Sequence, residues 1–234
     1  EKFPGGAIEM INEGVLENPK PEVIFGQHIF PGAYSGTISL ASGPVFASTS
    51  ELYWTIKGKS SHAAQPHLGN DAILTAAQLI NYYQNIITKF KNPLESAVLS
   101  VTSIHGGTAT NIFPEEIKMM GTLRTYNKEL GQNIQNVILQ NSKKIAELYN
   151  CECEIEIIQG YPPLINNEEL TNFVKDIAIN TVGEENTLQM EPKMWAEDFA
   201  YYAERIPACF WLLGVNTSQI DEMPPLHNSK LNPS

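Results

Sequence analysis

The chain has 234 residues, 42% of them hydrophobic, and a formal net charge of −11. This length and apolar content suffice for one large domain or two smaller packed domains. The acidic balance argues against nucleic acid as a partner, because binding to a phosphate backbone needs clustered Lys and Arg. No apolar stretch approaches the roughly 20 residues of a membrane helix, so we expect no membrane partner. The three cysteines give no disulfide framework and suit a reducing compartment, with the cytoplasm as the expected location.

The chain opens with a flank, residues 1–48, in which few elements are predicted. The apolar patterns indicate, in chain order, a helix over 7–16 and strands over 23–30 and 37–41. His28 follows an apolar run and precedes Pro31, so it lies at or just past a strand end, where α/β folds place ligand-binding groups. That position suits a metal ligand, although a structural role is the more common outcome for a lone histidine.

Residues 49–158 predict a complete small domain. Its elements are, in order, a strand over 51–57, a helix over 71–90, strands over 97–104 and 116–126, a helix over 128–149 and a strand over 152–158. This β-α-β-β-α-β order is the ferredoxin-like plan, with two helices on one face of an antiparallel four-stranded sheet. Apolar stripes predict the buried helix faces, which are Ile73, Ala76, Ala77, Ile80, Tyr83, Ile87 and Phe90 in the first helix and Ile134, Ile138, Ile145 and Leu148 in the second.

Residues 159–234 return to the pattern of the first flank. They predict helices over 168–182 and 197–206 and an apolar strand over 209–214. The predicted fold class is therefore α/β, a layered domain interrupted by a ferredoxin-like α+β insert. Glu197 and Asp198 open the second helix, and we interpret them first as capping residues that favour the helix dipole and only second as functional residues.

Several polar residues lie in turns or on strand faces that suit contact with a ligand. His62 and His67 occupy the loop after the first strand of the insert, and loops on a rigid scaffold concentrate function. Asn111 follows a Gly-Gly turn, and Arg124 on the polar face of a strand is available to clamp a carboxylate. His227 lies in a Pro-Pro-Leu-His-Asn loop that restrains its backbone. Taken singly, each is as readily an exposed polar side chain.

Taken in order, the motifs resemble the aminoacylase and carboxypeptidase G family of co-catalytic metallopeptidases. Within it they are most similar to the branch of N-acyl-amino-acid and indoleacetyl-amino-acid amidohydrolases. The resemblance covers essentially the whole chain, and its ordered motifs outweigh the weak signal of each residue alone. The matching text is Glu1 with Pro4-Gly-Gly-Ala, Phe25-Gly-Gln-His28, Gly43-Pro44, Ile56-Lys-Gly-Lys-Ser-Ser-His62-Ala-Ala-Gln-Pro-His67, Gly106-Gly-Thr-Ala-Thr-Asn111-Ile-Phe-Pro114, Gly121-Thr-Leu-Arg124, Gly160-Tyr-Pro-Pro163, Glu197-Asp-Phe-Ala-Tyr-Tyr202 and Pro225-Leu-His227.

The resemblance implies an amidohydrolase that contains two divalent metal ions and cleaves the amide bond of N-acyl-amino acids or short peptides. Glu1, His28 and His227 match metal ligands of that family. A one-residue shift of the match would make Glu1 the general base instead of a ligand. Mixed carboxylate and imidazole ligation suits zinc, with manganese or cobalt as alternatives.

The resemblance also implies a role for the insert, as a lid domain. Its edge strand would pair with the same strand of the second subunit in a homodimer. His62 matches a histidine that reaches across the dimer to the oxyanion of the tetrahedral intermediate. Asn111 and Arg124 match residues that hold the substrate amide or carboxylate. Since the remaining ligands of the family lie upstream of Glu1, we expect a fragment that is inactive alone. The alternative function is that of a non-catalytic dimer that binds amino-acid-like ligands or serves in interactions.

Overall fold

The computed structural model describes residues 5–217 and 224–232. The chain divides into two compact units. We call Glu1–Ala47 with Tyr161–Ser234 the discontinuous unit, and Ser48–Gly160 the inserted unit. The sequence placed these boundaries after residues 48 and 158. None of the helices in the described ranges is long and apolar enough to cross a membrane.

The elements alternate along the chain as follows. The discontinuous unit begins with α1 (Gly6–Asn12), β1 (Ile24–Tyr34), β2 (Ile38–Leu40) and β3 (Gly43–Phe46). The inserted unit contains β4 (Ser48–Lys57), α2 (Ala72–Asn85), β5 (Ala97–His105), β6 (Glu116–Thr125), α3 (Lys128–Leu148) and β7 (Glu152–Gln159). The discontinuous unit resumes with β8 (Leu164–Asn166), α4 (Glu168–Val182), β9 (Thr187–Gln189), α5 (Ala200–Ala203) and β10 (Ala208–Asn216).

The inserted unit has the predicted β-α-β-β-α-β order, which confirms the ferredoxin-like plan. Its strands form one antiparallel sheet in the order β5-β6-β4-β7. Alternate residues of β4, namely Leu52, Trp54 and Ile56, are fully buried in a core shared with α2 and α3. The Trp54 ring stacks on Tyr83 of α2, with centroids 5.2 Å apart. The period-two pattern of the strand therefore predicted its buried face correctly.

The buried faces of the two helices differ in part from the predicted stripes. In α2, Ile73 is 46% exposed, and in α3, Leu148 is 80% exposed. The α2 residues that are buried are Ala72, Thr75, Ala76, Leu79 and Tyr83. Small residues let the helix approach the sheet closely, and the Thr75 hydroxyl is satisfied because it donates to the Asp71 carbonyl oxygen at 2.8 Å. The predicted stripe correctly included Ala76 and Tyr83, but it followed hydrophobicity alone and so missed the rest of this face.

The discontinuous unit contains a mixed sheet in the order β1-β10-β2-β9. β1 runs parallel to β10, β2 is antiparallel to β10, and β9 is parallel to β2. A second pair, β3 with β8, is antiparallel. The sequence did not predict β3, β8 or β9, because strands of three or four residues are too short for a periodic signal. Among the described strands β1 is an edge, which explains how it accommodates Pro31.

Asn166 is a buried cross-link in the discontinuous unit, with only 2% of its surface exposed. Its side-chain amide nitrogen donates to the carbonyl oxygens of Ala41 and Phe210, each at 2.8 Å. Its side-chain oxygen accepts from the Phe210 backbone N–H at 2.8 Å. One side chain thus joins β8 to β10 and to the segment after β2, satisfying polar backbone groups that water does not reach.

Asn166→Ala is expected to lower the free energy of unfolding by roughly 3 kcal/mol, because it leaves buried donors and acceptors without partners. Asn166→Asp keeps the acceptor but turns a carboxylate toward two carbonyl oxygens, so we expect at least the same loss. Urea denaturation followed by circular dichroism measures both changes. The exposed Asn180→Ala on α4 is the control, and a loss at Asn166 no larger than at Asn180 would contradict the cross-link.

Candidate active site

A short segment that precedes α5 crosses one face of β1. At one end, the ring of Trp195 contacts the ring of Phe30, with centroids 5.8 Å apart. At the other end, the ring of Phe199 lies so close to β1 that a Cβ on Gly26 would approach it to 2.8 Å. Alternate residues of a strand share a face, so His28 lies on this same face, between the two contacts.

Halfway along the crossing segment, Glu197 falls opposite His28. Burial is the main cause that raises the pKa of the Glu197 carboxyl, and a hydrogen bond with Asp198 raises it further. His28 acts in the opposite direction, because a positive charge on its imidazole would lower the pKa of Glu197. A carboxyl group in this position favours a nearby cation, which would return it to the ionised form. From the sequence, a functional role for Glu197 is only the second interpretation, after helix capping.

The imidazole of His28 is oriented by its own strand. Its Nδ1 lies 2.8 Å from the carbonyl oxygen of Ile29. A carbonyl only accepts, so Nδ1 carries the proton and Nε2 of the neutral ring presents a lone pair. Metal-binding histidines commonly have one nitrogen held in this way while the other binds the ion. His28 therefore fits a metal ligand in both tautomer and position.

The other two predicted metal ligands are less well defined. Glu1 lies outside the described residues. His227 is exposed, in a turn where its backbone φ is +63°. Within residues 5–217 and 224–232, no cluster of three or more His, Cys, Asp or Glu side chains has metal-binding geometry. Among the described residues, His28 and the Glu197 carboxyl opposite it are therefore the candidates, and the ligand set stays a prediction.

Asp198 caps a helix, but not the one that the sequence indicated. Its carboxylate accepts the backbone N–H of Ala7 at 2.9 Å, which places it at the start of α1. No side chain caps α5. Gly5 has φ +77°, and a Cβ there would lie 2.8 Å from the Tyr161 hydroxyl and 3.0 Å from Asp198. Only glycine fits this turn, in which Tyr161 and Asp198 pack closely against the backbone of Gly5.

His62 and Asn111 lie together in the inserted unit, on two adjoining exposed loops. The backbone N–H of Ala63 donates to the carbonyl oxygen of Asn111 at 2.9 Å. His62 and Ile112 form an isolated antiparallel bridge. The sequence separates His62 and Asn111 by 49 positions, and the backbone contacts bring them to one place.

The tautomer of His62 follows from a hydrogen bond within its loop. The backbone N–H of Ala64 donates to Nδ1 of His62 at 3.1 Å. Nδ1 is thus an acceptor, and in the neutral ring the proton resides on Nε2. The exposed Nε2–H is a fixed donor for an incoming oxygen, which is the property that stabilisation of an oxyanion needs.

Arg124 lies far from the His62 loop. The strand register pairs Thr49 with Arg124 and Lys57 with Glu116, and the His62 loop begins after Lys57. Eight residue positions along the strand separate the Thr49–Arg124 pair from the Lys57–Glu116 pair. This separation is roughly 26 Å at about 3.3 Å per residue. Partial burial lowers the pKa of Arg124, and the charge of Glu51 opposes this change. Its guanidinium already donates to the Thr122 hydroxyl, so the clamp expected for a carboxylate is partly occupied.

The family comparison covers the full length of the chain. The model of peptidase family M20/M25/M40 matches residues 1–234. The N-acetyldiaminopimelate deacetylase of Bacillus cytotoxicus is 36% identical over 234 residues, which are 100% of this chain and 61% of the relative.

Two solved structures are similar in fold. A proposed aminohydrolase from methicillin-resistant Staphylococcus aureus superposes with a TM-score of 0.88 at 28% identity, over 100% of this chain and 59% of that one. Bacillus subtilis YXEP, described as a dinuclear metal-binding peptidase of the M20 family, superposes with a TM-score of 0.75 at 30% identity, over 94% of this chain and 55% of that one. The chain spans between 55% and 61% of the length of these three relatives.

Proposed function

Since the chain belongs to peptidase family M20/M25/M40, we propose that the whole protein is a metal-dependent amidohydrolase that cleaves N-acyl-amino acids or short peptides. The observation that carries the proposal is the environment of His28. Its Nδ1 is held by a backbone carbonyl, its Nε2 is available, and the partly buried Glu197 carboxyl lies opposite. A deacetylase and a dinuclear metal-binding peptidase among the similar proteins support the same chemistry.

His28 would hold a divalent ion, together with Glu1 and His227 as the proposed further ligands. Two such ions, when bound, would activate water and polarise the scissile carbonyl. Zinc suits imidazole and carboxylate ligands, and manganese and cobalt are the alternatives. The Nε2–H of His62 would donate to the oxyanion, and Asn111 and Arg124 would bind the amide or carboxylate of the substrate.

We propose that the protein is a homodimer that pairs through β5. The two edges of the inserted sheet are β5 and β7. Exposed Glu152 and Glu156 along β7 would face the same residues of a second copy and repel them, although Glu154 between them pairs with Lys57. β5 (Ala97–His105) contains no acidic residue, and its Val98 and Ile104 are partly exposed. These properties favour β5 as the paired edge.

The distance between Arg124 and the His62 loop supports a shared site in this dimer. Roughly 26 Å along the sheet exceeds the length of an N-acyl-amino acid, so one subunit cannot apply Arg124 and His62 to one substrate. We therefore propose that Arg124 and His62 act on one substrate only in the dimer, where they come from different subunits.

Metal content and hydrolysis of the whole protein, purified without a histidine tag, test this function. We expect about two divalent ions per subunit, as in dinuclear hydrolases. Release of free amino acid from N-acetyl- and longer N-acyl-amino acids should stop on treatment with a chelator and return when metal is restored. A protein that holds no metal after reconstitution, and whose ligand affinity is unchanged by chelation, would support the non-catalytic alternative.

A further inference from the structure

Lys193 lies at the start of the segment that crosses β1. Its ammonium lies 5.4 Å from the ring centroids of both Phe30 and Trp195. No salt bridge to Lys193 occurs in the part of the chain that the structure describes. Trp195 is 41% exposed, which is high for an aromatic side chain packed against two others. A cation and an open aromatic surface thus lie together without a carboxylate partner among these residues.

The backbone fixes where this cation lies. The backbone N–H of Lys193 donates to the carbonyl oxygen of Val45, and Trp195 accepts from the N–H of Ala47. Residues 193 to 195 therefore pair alongside β3 like an additional strand. This pairing limits their movement away from Phe30. The rings of Phe30 and Trp195 restrain the ammonium further, because a cation over an aromatic face is stabilised by about 0.5 to 2 kcal/mol.

The ammonium of Lys193 lies near the candidate metal ligand, His28. Phe30 is two residues from His28 on the same strand face, a distance of about 7 Å. Lys193 covers Phe30, and Glu197 of the same segment lies opposite His28. One continuous face of β1 therefore carries the candidate metal ligand at one position and, at the next, Phe30 covered by an ammonium.

We infer that Lys193, with Phe30 and Trp195, forms a specificity-determining subsite for a carboxylate that the substrate carries away from the scissile amide. This inference rests on the proposed amidohydrolase function and adds a substrate class to it, N-acyl-amino acids with a second acidic group. The two-residue spacing of Phe30 and His28 along β1, about 7 Å, suits a substrate whose second carboxylate belongs to an acidic amino-acid side chain or a dicarboxylic acyl group. The rings would contact the methylene groups that lead to that carboxylate.

The test compares Lys193→Met with the wild-type holoenzyme on matched substrates. Methionine keeps an apolar chain over the rings and removes the charge. In the first pair, N-acetyl-L-glutamate carries the second carboxylate on its side chain and N-acetyl-L-glutamine lacks it. In the second pair, N-succinyl-L-alanine carries it on the acyl group and N-butanoyl-L-alanine lacks it. We expect the KM of one acidic substrate to rise about tenfold in Lys193→Met. The KM of the matched neutral substrate and the kcat of both should change little. The substrate pair in which KM changes shows whether the carboxylate belongs to the amino-acid side chain or to the acyl group.

Two further variants separate recognition from structure. Lys193→Arg keeps a cation that stacks on aromatic rings and should recover most of the loss, whereas the exposed Lys175→Met on α4 should change nothing. Equal changes for acidic and neutral substrates, or none for either, would overturn the subsite. If the wild-type enzyme cleaves none of the four compounds, metal content and the wider set of N-acyl-amino acids decide the amidohydrolase proposal separately. Calorimetric binding of N-acetyl-L-glutamate to wild type and Lys193→Met would then decide the subsite.

Discussion

Replacement of His28 by alanine is expected to lower the metal content of the whole protein from about two ions per subunit toward one. His28 presents Nε2 to the face of β1 because its Nδ1 donates to the Ile29 carbonyl oxygen. Loss of one ion removes several kcal/mol of transition-state stabilisation, so kcat/KM should fall about 10³-fold. Elemental analysis and initial rates on an N-acyl-amino acid measure the two effects.

Gln27→Ala is the matched control, since Gln27 is the exposed neighbour on the opposite face of β1. It should retain both metal and activity. Thermal denaturation of the metal-free forms shows whether His28→Ala damages the fold instead of the site. Full metal content in His28→Ala, measured alongside a normal Gln27→Ala, would rule out His28 as a ligand.

His62→Ala is expected to lower kcat by about 10²- to 10³-fold while KM changes little, as for loss of one oxyanion donor. The Ala64 N–H bond to Nδ1 leaves Nε2–H as the donor, so the position of the replacement amide should matter. Glutamine places its amide nitrogen near the position of Nε2, and asparagine places its amide near Nδ1. We therefore expect His62→Gln to retain more activity than His62→Asn.

His67→Ala is the control for this experiment, because His67 is an exposed histidine of the same loop. Nitrogen-15 chemical shifts of the imidazole report the tautomer directly, with a protonated Nε2 expected for His62. Equal activities of the glutamine, asparagine and alanine variants would exclude a specific Nε2–H donor. A protonated Nδ1 would contradict the hydrogen bond from Ala64.

Local patterns predicted much of the fold and indicated candidate residues of the site. Strand alternation in β4 and the order of elements from 49 to 158 led to the ferredoxin-like plan. The spacing of ordered motifs led to the family, which the match over residues 1–234 shows. Prediction failed where a strand was short, as for β3, and for single positions of a helix stripe, as for Ile73 of α2. Packing against the sheet, and not hydrophobicity, decided which residues of α2 were buried.

The sequence by itself determined the fold class, the insertion of one domain into another and the family, because periodicity and motif order are properties of neighbouring residues. The tertiary structure alone decided that Glu197 lies opposite His28 and that Lys193 covers Phe30. It also decided that Asp198 caps a helix 191 positions away in sequence. These relations depend on strand register and on contacts between distant segments, which no local pattern encodes.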